Sequence, residues 1–359
     1  MKLLDRIKIW EEDKEEYKNL FLNNPYLIAE IGVNHESDLL AAKNLCLEAK
    51  KSGANAAKFQ TYKAEKLASI EAASYWDKNE NKVENQKELF KKYDSFEEKD
   101  YKEIAKYCNE IDIEFMSTPF DSDCINWLNE LVDVFKISSS DITNKILIQD
   151  IAKLNKHIIL STGASNVFEI QSALKWINKF NKKTVILNHC ILNYPTKVEN
   201  ANLVRIQKLE NEFPNVIIGY SDHTKPTENL SILQEATSLG ALVLEKHFTN
   251  NKSLEGNDHF HSMDSKDILN FRKSLQFRNT LYGESKIEPL SSENISRKMA
   301  RRSLVLKKSL NKGSEISLDD LIPKRPGTGI SPSEINLVLG KKLKRNKKAD
   351  SVLFFDDII

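Results

Sequence analysis

Short apolar runs alternate with amphipathic segments along most of the chain, from Asn24-Pro25 to Tyr282. Most of the apolar runs contain no polar residue until their last few positions, which is typical of parallel strands buried on both faces. The segments between them repeat apolar residues at helical spacing. The pattern therefore predicts strands and helices in alternation.

We predict eight strands, each followed by a helix. The strands are Tyr26–Gly32, Ala56–Thr61, Glu114–Thr118, Val134–Ser138, His157–Ser161, Thr184–His189, Val216–Ser221 and Leu242–His247. The helices are Leu39–Ser52, Phe96–Glu110, Ser122–Leu131, Lys145–Leu154, Val167–Asn178, Val204–Asn211, Asn229–Leu239 and Asp264–Tyr282. A doubly wound open sheet also alternates in this way, but eight units over about 260 residues favour an α/β fold of the (β/α)8 TIM-barrel type.

Both ends of the chain fall outside this alternation, so we place the barrel at residues 25–283. Residues 1–24 are charged and lack a clear period, which predicts a helical or frayed N-terminal extension. Residues 284–299 form a polar linker. Residues 300–359 combine short apolar runs with turn signals, which is typical of a small β-rich domain.

The composition excludes several classes of partner. The 53 Lys+Arg and 52 Asp+Glu residues give a net charge of +1, which argues against a broad nucleic-acid-binding surface. No apolar run approaches the ~18 residues of a membrane-spanning helix, and the charged N-terminal segment is unlike a secretory signal. The four cysteines form no disulfide framework, which suits a reducing cytoplasm. We therefore expect a cytoplasmic protein with no nucleic-acid or membrane partner.

Polar residues concentrate at the C-terminal ends of the predicted strands, where active sites of (β/α)8 barrels lie. Each of the eight strands delivers such groups there. They include Glu30, Asn34, His35, Lys58, Gln60, Ser117, Thr118, Lys136, Ser138, Ser139, Ser161, Asn188, His189, Ser221, Asp222, His223, Glu245, Lys246 and His247. Because random surface placement does not produce this bias, the pattern predicts an active site at this end.

Histidines show the same bias, since six of the seven lie at those strand ends or in the loop after the last strand. A single histidine in such a place most often has a structural role. His223 and His247 end adjacent strands near Glu245 and Asp258, and this pairing favours a divalent-metal site instead. Two histidines that leave coordination positions open indicate a catalytic ion such as Mn²⁺, Zn²⁺ or Mg²⁺.

Lys58 and Lys136 lie inside otherwise apolar strands, where a charged lysine is costly unless it meets an anion. One hypothesis is a Schiff-base lysine, as in a class I aldolase. A second is a phosphate or carboxylate clamp assisted by neighbouring serines, which two lysines together favour. A third is that the lysines pair with Glu30 or Glu245 for stability alone.

Arg325 is a candidate in the small domain. It lies in the segment KRPGTGI, whose Pro-Gly and Gly residues fix a turn. Its guanidinium could bind a polar ligand through two parallel hydrogen bonds. A simple turn is the usual explanation for such a segment.

A series of motifs resembles the sialic acid synthase (N-acetylneuraminate synthase) family. The motifs are AEIGVNH, AAKFQTYKAEKL, FMSTPFD, FKISSSDITN, ILSTGAS, IGYSDHT, LEKHFT, GNDHFHSMD, ARRSL and KRPGTGISP, in the family's order over about residues 25–358. The resemblance implies a (β/α)8 barrel joined to a C-terminal antifreeze-like (SAF) domain. It also implies condensation of phosphoenolpyruvate with N-acetylmannosamine, or a related 2-acetamido hexose, and water. The products are a nine-carbon 2-keto acid and phosphate.

The resemblance assigns roles to residues of this chain. It implies a divalent metal on His223 and His247, Mn²⁺ before Mg²⁺ or Co²⁺, and no organic cofactor. The implied contacts to phosphoenolpyruvate are Lys58, Lys136, Ser139, Ser161 and Ser221. The implied contacts to the sugar are Glu30, Gln60, Tyr194 and Asp258, with Arg325 reaching into the partner's barrel in a domain-swapped homodimer. Glu30 and Glu245 both remain candidates for the general base.

The resemblance leaves the acceptor sugar open. N-acetylneuraminate and N,N'-diacetyllegionaminate synthases share this scaffold, whereas the pseudaminate branch usually opens with a different first-strand motif. We expect the segment Tyr62–Tyr93, which carries Tyr75-Trp76, to line the acceptor pocket. Some members carry Asn two positions after the Cys190 equivalent, where this chain has Leu192. A non-catalytic carbohydrate-binding protein that has kept the SAF domain is the alternative from another functional class.

Overall fold

A computed structural model describes residues 1–74, 83, 85–256, 258–284 and 286–359 of the chain. These residues divide into two compact units, Met1–Gly283 and Glu284–Ile359. Within them, no helix combines the length and the apolar character needed to cross a membrane.

The first unit contains eight strands and twelve of the helices in the described part of the chain. The strands are β1 Tyr26–Gly32, β2 Ala56–Thr61, β3 Glu114–Pro119, β4 Val134–Ile137, β5 His157–Ser161, β6 Val185–Cys190, β7 Ile217–Asp222 and β8 Val243–His247. The helices are α1 Leu3–Glu12, α2 Lys14–Phe21, α3 Leu39–Ser52, α4 Ala64–Leu67, α5 Gln86–Lys91, α6 Glu98–Glu110, α7 Ile125–Leu131, α8 Lys145–Lys153, α9 Val167–Asn178, α10 Arg205–Glu212, α11 Ser231–Ser238 and α12 Ser265–Tyr282.

All eight predicted strand–helix units are present, and the largest shift of an end is at α7. That helix begins at Ile125 and not at the predicted Ser122. The reason is local, because Asp121 Oδ1 accepts a hydrogen bond from Asp123 N at 2.9 Å and holds the chain in a turn. The ends of α3 match the prediction, because Asp38 caps its start and Gly53 ends it with φ of +103°.

The strands form one parallel sheet in the order β3-β2-β1-β8-β7-β6-β5-β4. Strands β3 and β4 lie side by side at the remaining seam, so the sheet is a nearly closed barrel. The predicted (β/α)8 fold is thereby confirmed. Its helices cover the outside and share a large apolar core with the outward-facing strand residues.

The barrel interior changes from apolar to polar along every strand. One apolar cluster contains Ile28, Ala56, Met116, Val134, Ile159, Ile186, Ile217 and Val243. Because strand residues two apart share a face, the next interior positions follow from the sequence. They are Glu30, Lys58, Thr118, Lys136, Ser161, Asn188, Gly219 and Glu245. The polar end of the barrel is thus built on an apolar floor.

The N-terminal helices complete that floor. Leu3 and Ile7 of α1, with Tyr17 and Phe21 of α2, belong to the same apolar cluster as the interior strand residues. Arg6 is buried with them, where its guanidinium donates to Asn24 O at 2.7 Å. Residues that lacked a clear sequence period are therefore part of the barrel unit.

The second unit is a small β-rich body. Its antiparallel strands are β9 Ser303–Leu306 and β10 Leu321–Lys324, and its helix is α13 Asn294–Ala300. The helix covers part of the predicted polar linker. The unit has its own apolar core, which contains Leu304, Leu306, Ile316, Leu321, Ile330, Val338, Leu343, Leu353 and Ile358.

Candidate active site

A cavity of about 400 Å³, solvent-filled space included, lies at the C-terminal ends of the barrel strands, and every strand contributes to its wall. The wall contains Glu30, Lys58, Gln60, Thr118, Phe120, Lys136, Ser138, Ser139, Ser161, Cys190, Tyr194, Ser221, His223, Glu245 and His247. The structure therefore brings together all the predicted residues for phosphoenolpyruvate and the predicted metal pair.

Two lysines and two glutamates form one buried charge cluster in this cavity. Lys58 Nζ pairs with Glu30 Oε2, lies 3.6 Å from Glu245 Oε1 and donates to Thr118 Oγ1 at 3.0 Å. Lys136 Nζ lies 3.8 Å from the same Glu245 oxygen. Burial opposes the charge of both lysines. Glu245 and Glu30 outweigh burial at Lys58 and raise its pKa, whereas at Lys136 burial prevails and lowers the pKa.

The two glutamates have different proton affinities. Burial raises the pKa of Glu30, and Lys58 only partly offsets it. At Glu245 burial acts in the same direction, but Lys136 and Lys58 together outweigh it and lower the pKa. Gln60 Nε2 donates to Glu30 Oε1 at 2.9 Å, and Ser221 Oγ donates to Glu245 Oε1 at 3.3 Å. Environments that separate two carboxyl pKa values in this way are typical of acid–base sites.

The hydroxyls of Ser139 and Ser161 differ in their hydrogen bonds. Ser139 Oγ accepts a hydrogen bond from Gly163 N at 2.9 Å and lies 2.9 Å from Cys190 Sγ. A Cβ atom on Gly163 would lie 2.7 Å from that sulfur, so the close approach needs glycine. Ser161 Oγ is buried and has no hydrogen-bond partner among the described residues. A ligand with anionic oxygens would supply the missing acceptor.

His223 and His247 present their rings to one another, with centroids 5.7 Å apart. His223 Nδ1 lies 2.8 Å from Ile191 O, so this nitrogen carries the proton and Nε2 keeps its lone pair. His247 Nδ1 lies 3.2 Å from Asp258 Oδ2. Burial lowers the pKa of His223 to about 4, which leaves the ring neutral. Imidazoles oriented by a carbonyl and a carboxylate are typical of metal ligands, and this donor set fits a divalent ion.

His261 is a site residue that sequence reasoning did not single out. Three other candidate histidines have structural partners, namely His35, His189 and His259. His261 is fully buried, its ring centroid lies 4.9 Å from that of His247, and neither of its nitrogens has a hydrogen-bond partner among the described residues. Its only sequence signal was its place in the loop after the last strand.

A second cavity of about 1290 Å³, solvent-filled space included, adjoins the first. Gln60, Tyr194 and Asp258, three of the predicted sugar contacts, line it. The Tyr194 ring also packs 4.3 Å from the ring of His223, which connects the two cavities. Apolar residues make up much of the remaining wall. They are Val33, Leu67, Leu89, Phe90, Phe120 and Leu192.

The segment Tyr62–Tyr93 contributes to this second cavity through α4 and α5, where Leu67 and Leu89 lie. Tyr75-Trp76 lies outside the described residues. Arg325 is an exposed residue of the second unit, at the end of β10. Its contact with a partner's barrel remains a prediction.

Comparison with known proteins supports the motif-based resemblance. Residues 45–286 match the NeuB family, and residues 301–359 match the SAF domain. The chain is 40% identical over 342 residues to N,N'-diacetyllegionaminic acid synthase of Legionella pneumophila, which covers 93% of this chain and 94% of the relative. It is 38% identical over 332 residues to the enzyme of the same name from Campylobacter jejuni, with 91% and 98% covered.

A solved structure gives the same result. The N-acetylneuraminic acid synthetase of Leptospira borgpetersenii, in complex with citrate, has a TM-score of 0.66 and 34% identity to this chain. The match covers 76% of this chain and 90% of that structure. With the barrel, the SAF match and these relatives in agreement, the chain belongs to the NeuB family of synthases and carries a SAF domain after its barrel.

Proposed function

We propose that this synthase joins phosphoenolpyruvate to a 2-acetamido hexose and water, giving a nine-carbon 2-keto sugar acid and phosphate. The observation that carries the proposal is the pairing of two buried lysines with a histidine pair in one cavity, next to a larger and more apolar one. The first cavity suits a small polyanion, and the second suits a sugar with acetyl groups.

Phosphoenolpyruvate presents a phosphate and a carboxylate, and the first cavity offers matching groups. Lys58 and Lys136 supply positive charge in a buried place where charge pairing is strong. Ser139, Ser161 and Ser221 supply hydroxyls around them. Lys136 lies 3.8 Å from Glu245, a loose contact that an incoming anion can replace.

A divalent metal fits the part of the first cavity where His223 and His247 lie. His223 and His247 would hold it, because their orientation is fixed and the His223 Nε2 lone pair is kept for a ligand. We propose Mn²⁺, with Mg²⁺ or Co²⁺ as substitutes, and no organic cofactor. A bound ion would act as a Lewis acid that polarises the aldehyde oxygen of the acceptor.

The residues of the chain account for the remaining chemistry. C3 of phosphoenolpyruvate forms a bond to the aldehyde carbon, and the aldehyde oxygen gains a proton and becomes a hydroxyl. Water adds at C2 with loss of one proton. The new C2 hydroxyl then loses its proton as the bond between C2 and the phosphate oxygen breaks, which leaves the keto group and releases phosphate. A base must accept a proton from that water. We assign this role to Glu30, whose raised pKa is better matched to neutral pH, while Glu245 stays ionised and stabilises positive charge on the lysines.

N-acetylmannosamine is the first candidate acceptor, because the family resemblance implies it. A diacetamido hexose is the second candidate, and two observations support it. Relatives from Legionella pneumophila and Campylobacter jejuni are named N,N'-diacetyllegionaminic acid synthases. The apolar wall formed by Leu67, Leu89 and Leu192 also suits acetyl methyl groups better than hydroxyls.

The proposal includes a domain-swapped homodimer in the cytoplasm, in which Arg325 of one subunit contacts the sugar in the other. A matched test of this part is Arg325→Ala against Arg302→Ala, another exposed arginine of the second unit. We expect a higher KM for the hexose only in the first variant. Equal KM values would contradict the role of Arg325.

The function is tested by incubating the purified protein with phosphoenolpyruvate, Mn²⁺ and each hexose in turn, and measuring phosphate release. We expect release with one hexose and its loss in His223→Ala and His247→Ala. A carbohydrate-binding protein without activity would bind a hexose and release no phosphate. Release that is unchanged in both histidine variants would contradict the metal assignment.

A further inference from the structure

Three buried residues beside the cavity could together hold a metal ion: His247, Asp258 and His261. One ligand atom from each lies within 4.8 Å of the others. His261 enters this group from the short 3₁₀ turn His259–His261, which follows the loop after β8. The turn thus places a second imidazole near His247, in addition to that of His223.

The burial of His261 has no explanation in the packing alone. Both of its ring nitrogens lack a hydrogen-bond partner among the described residues. A buried polar group without a hydrogen bond destabilises the fold, so such groups in native proteins usually serve a ligand or a water. The aromatic neighbours of His261 are Tyr194, Phe260 and His247. An apolar side chain at this position would pack against Tyr194 and Phe260 without burying two unsatisfied nitrogens.

The ring of His247 lies close enough to each of the other two rings for the members of either pair to bind one ion. For metal–nitrogen bonds of about 2.1 Å, two imidazoles on one ion have centroids roughly 4.6–6.5 Å apart, depending on the bond angle. The centroids of His247 and His261 are 4.9 Å apart, and those of His223 and His247 are 5.7 Å apart. His247 therefore lies within the required range of both other rings.

We propose that His261 is an additional protein ligand to the divalent ion, alongside His223 and His247. This inference rests on the metal site of the proposed function and adds its third nitrogen donor. More imidazole donors favour borderline ions such as Co²⁺ and Zn²⁺ over Mg²⁺, which prefers oxygen. The chain should therefore select nitrogen-seeking ions more strongly than a two-histidine site does.

The test is metal binding by the full-length protein after removal of metal by chelation. Isothermal titration with Co²⁺ and Mn²⁺ gives the affinity, and the visible absorption of bound Co²⁺ reports its ligand field. We expect His261→Ala to weaken Co²⁺ binding by at least tenfold and to change the spectrum. His259→Gln is the matched control, because it alters a buried histidine of the same turn whose nitrogens contact Thr249 and Glu36.

A second variant covers the case in which His261→Ala fails to fold. In His261→Cys, a thiolate bound to Co²⁺ gives a charge-transfer band, which is expected only if this side chain reaches the ion. Unchanged affinity and spectrum in a folded His261→Ala, or in a folded His261→Cys that also lacks the band, would overturn the proposal while leaving the two-histidine site intact. If the wild-type chain binds no divalent ion, the metal site of the proposed function fails together with this inference.

Discussion

Lys246 Nζ donates a hydrogen bond to Asp222 Oδ2 at 2.7 Å, and each of these residues directly precedes one of the paired histidines. Because side chains alternate along a strand, this ion pair lies behind the cavity while His223 and His247 face it. Lys246 Nζ also donates to Thr224 O at 2.6 Å. The pair therefore ties together the two strand ends that carry the candidate metal ligands.

Asp222→Asn should destabilise the fold because it leaves Lys246 buried without its counter-charge. Removing one partner of a buried ion pair typically costs about 3–5 kcal/mol. Chemical denaturation measures the loss. Asp350→Asn is the control, since Asp350 pairs with Lys324 at the surface and such pairs contribute about 0–1 kcal/mol. A loss in Asp222→Asn no larger than in the control would contradict the role of the pair.

Glu30→Gln and Glu245→Gln should have different effects on the pH profile of turnover. Glu30 has the raised pKa, so its removal should abolish the acidic limb of kcat/KM and reduce the rate by about 10²–10⁴-fold. Glu245→Gln removes the charge that faces Lys58 and Lys136 and should mainly change the KM for phosphoenolpyruvate. Steady-state phosphate release between pH 5 and about pH 9 measures both effects. If the acidic limb persists in Glu30→Gln, the base is another group.

The barrel and most of the cavity could be predicted because they follow from periodicity. Interior residues such as Ile28 and Glu30 are two apart, so the change from apolar to polar can be read directly from each strand. The roles of α1 and α2 could not be read in this way. Their apolar residues contact the end of the barrel opposite the cavity. The polar residues on the rest of each helix obscure the apolar periodicity.

His261 was missed for a related reason. The sequence favours His223 and His247 because they end adjacent strands near Glu245 and Asp258. His261 lies in a turn that only the folded loop brings to His247. Hydrogen-bond satisfaction distinguishes it from His35 and His259, and this property depends on tertiary contacts. The split between the pKa values of Glu30 and Glu245 likewise depends on how many lysines each carboxylate faces, because Lys58 and Lys136 both lie near Glu245. No spacing in the sequence encodes this.

Lys136→Met should mainly weaken the binding of phosphoenolpyruvate, whereas Lys58→Met should also destabilise the fold. Lys58 faces two carboxylates, so its loss leaves Glu30 and Glu245 buried with less compensation and should lower both stability and activity. Lys136 has the weaker contact, and its loss should chiefly raise the KM for phosphoenolpyruvate. Denaturation and kinetics on both variants check this. Trapping of a covalent adduct by borohydride in the wild-type enzyme would instead support a Schiff-base aldolase.

Ile7→Ala should destabilise the barrel without altering its site. Ile7 is fully buried in the floor cluster, and truncation of such a residue costs about 2–5 kcal/mol. The floor lies at the opposite end of the strands from the cavity, so KM values should stay unchanged. Leu20→Ala is the control, because Leu20 is 50% exposed and should change stability by less than about 0.5 kcal/mol. Equal stability of the two variants would mean that α1 does not contribute to the core.

Stability should fall as the pH is lowered below about 6.5, and His35 should be one cause. Burial lowers the pKa of His35 to about 4, and its ring stacks on Phe96 with centroids 4.3 Å apart. Above pH 6.5 the ring is neutral in both states, so it has no effect. Below that pH the unfolded chain binds a proton that the folded chain excludes, which favours unfolding until the pH reaches about 4.

Replacement by a ring that cannot titrate isolates this contribution. His35→Phe keeps an aromatic ring against Phe96, although it loses the hydrogen bond from Ser37 N and should be less stable than wild type at pH 7.5 or so. That deficit should shrink by about 3 kcal/mol between pH 7 and pH 4, because only the wild-type chain pays the proton-linked cost at His35. Urea denaturation at several pH values measures how the free energy of unfolding changes with pH in the wild-type and His35→Phe chains. Parallel slopes would show that His35 titrates alike in the folded and unfolded chains.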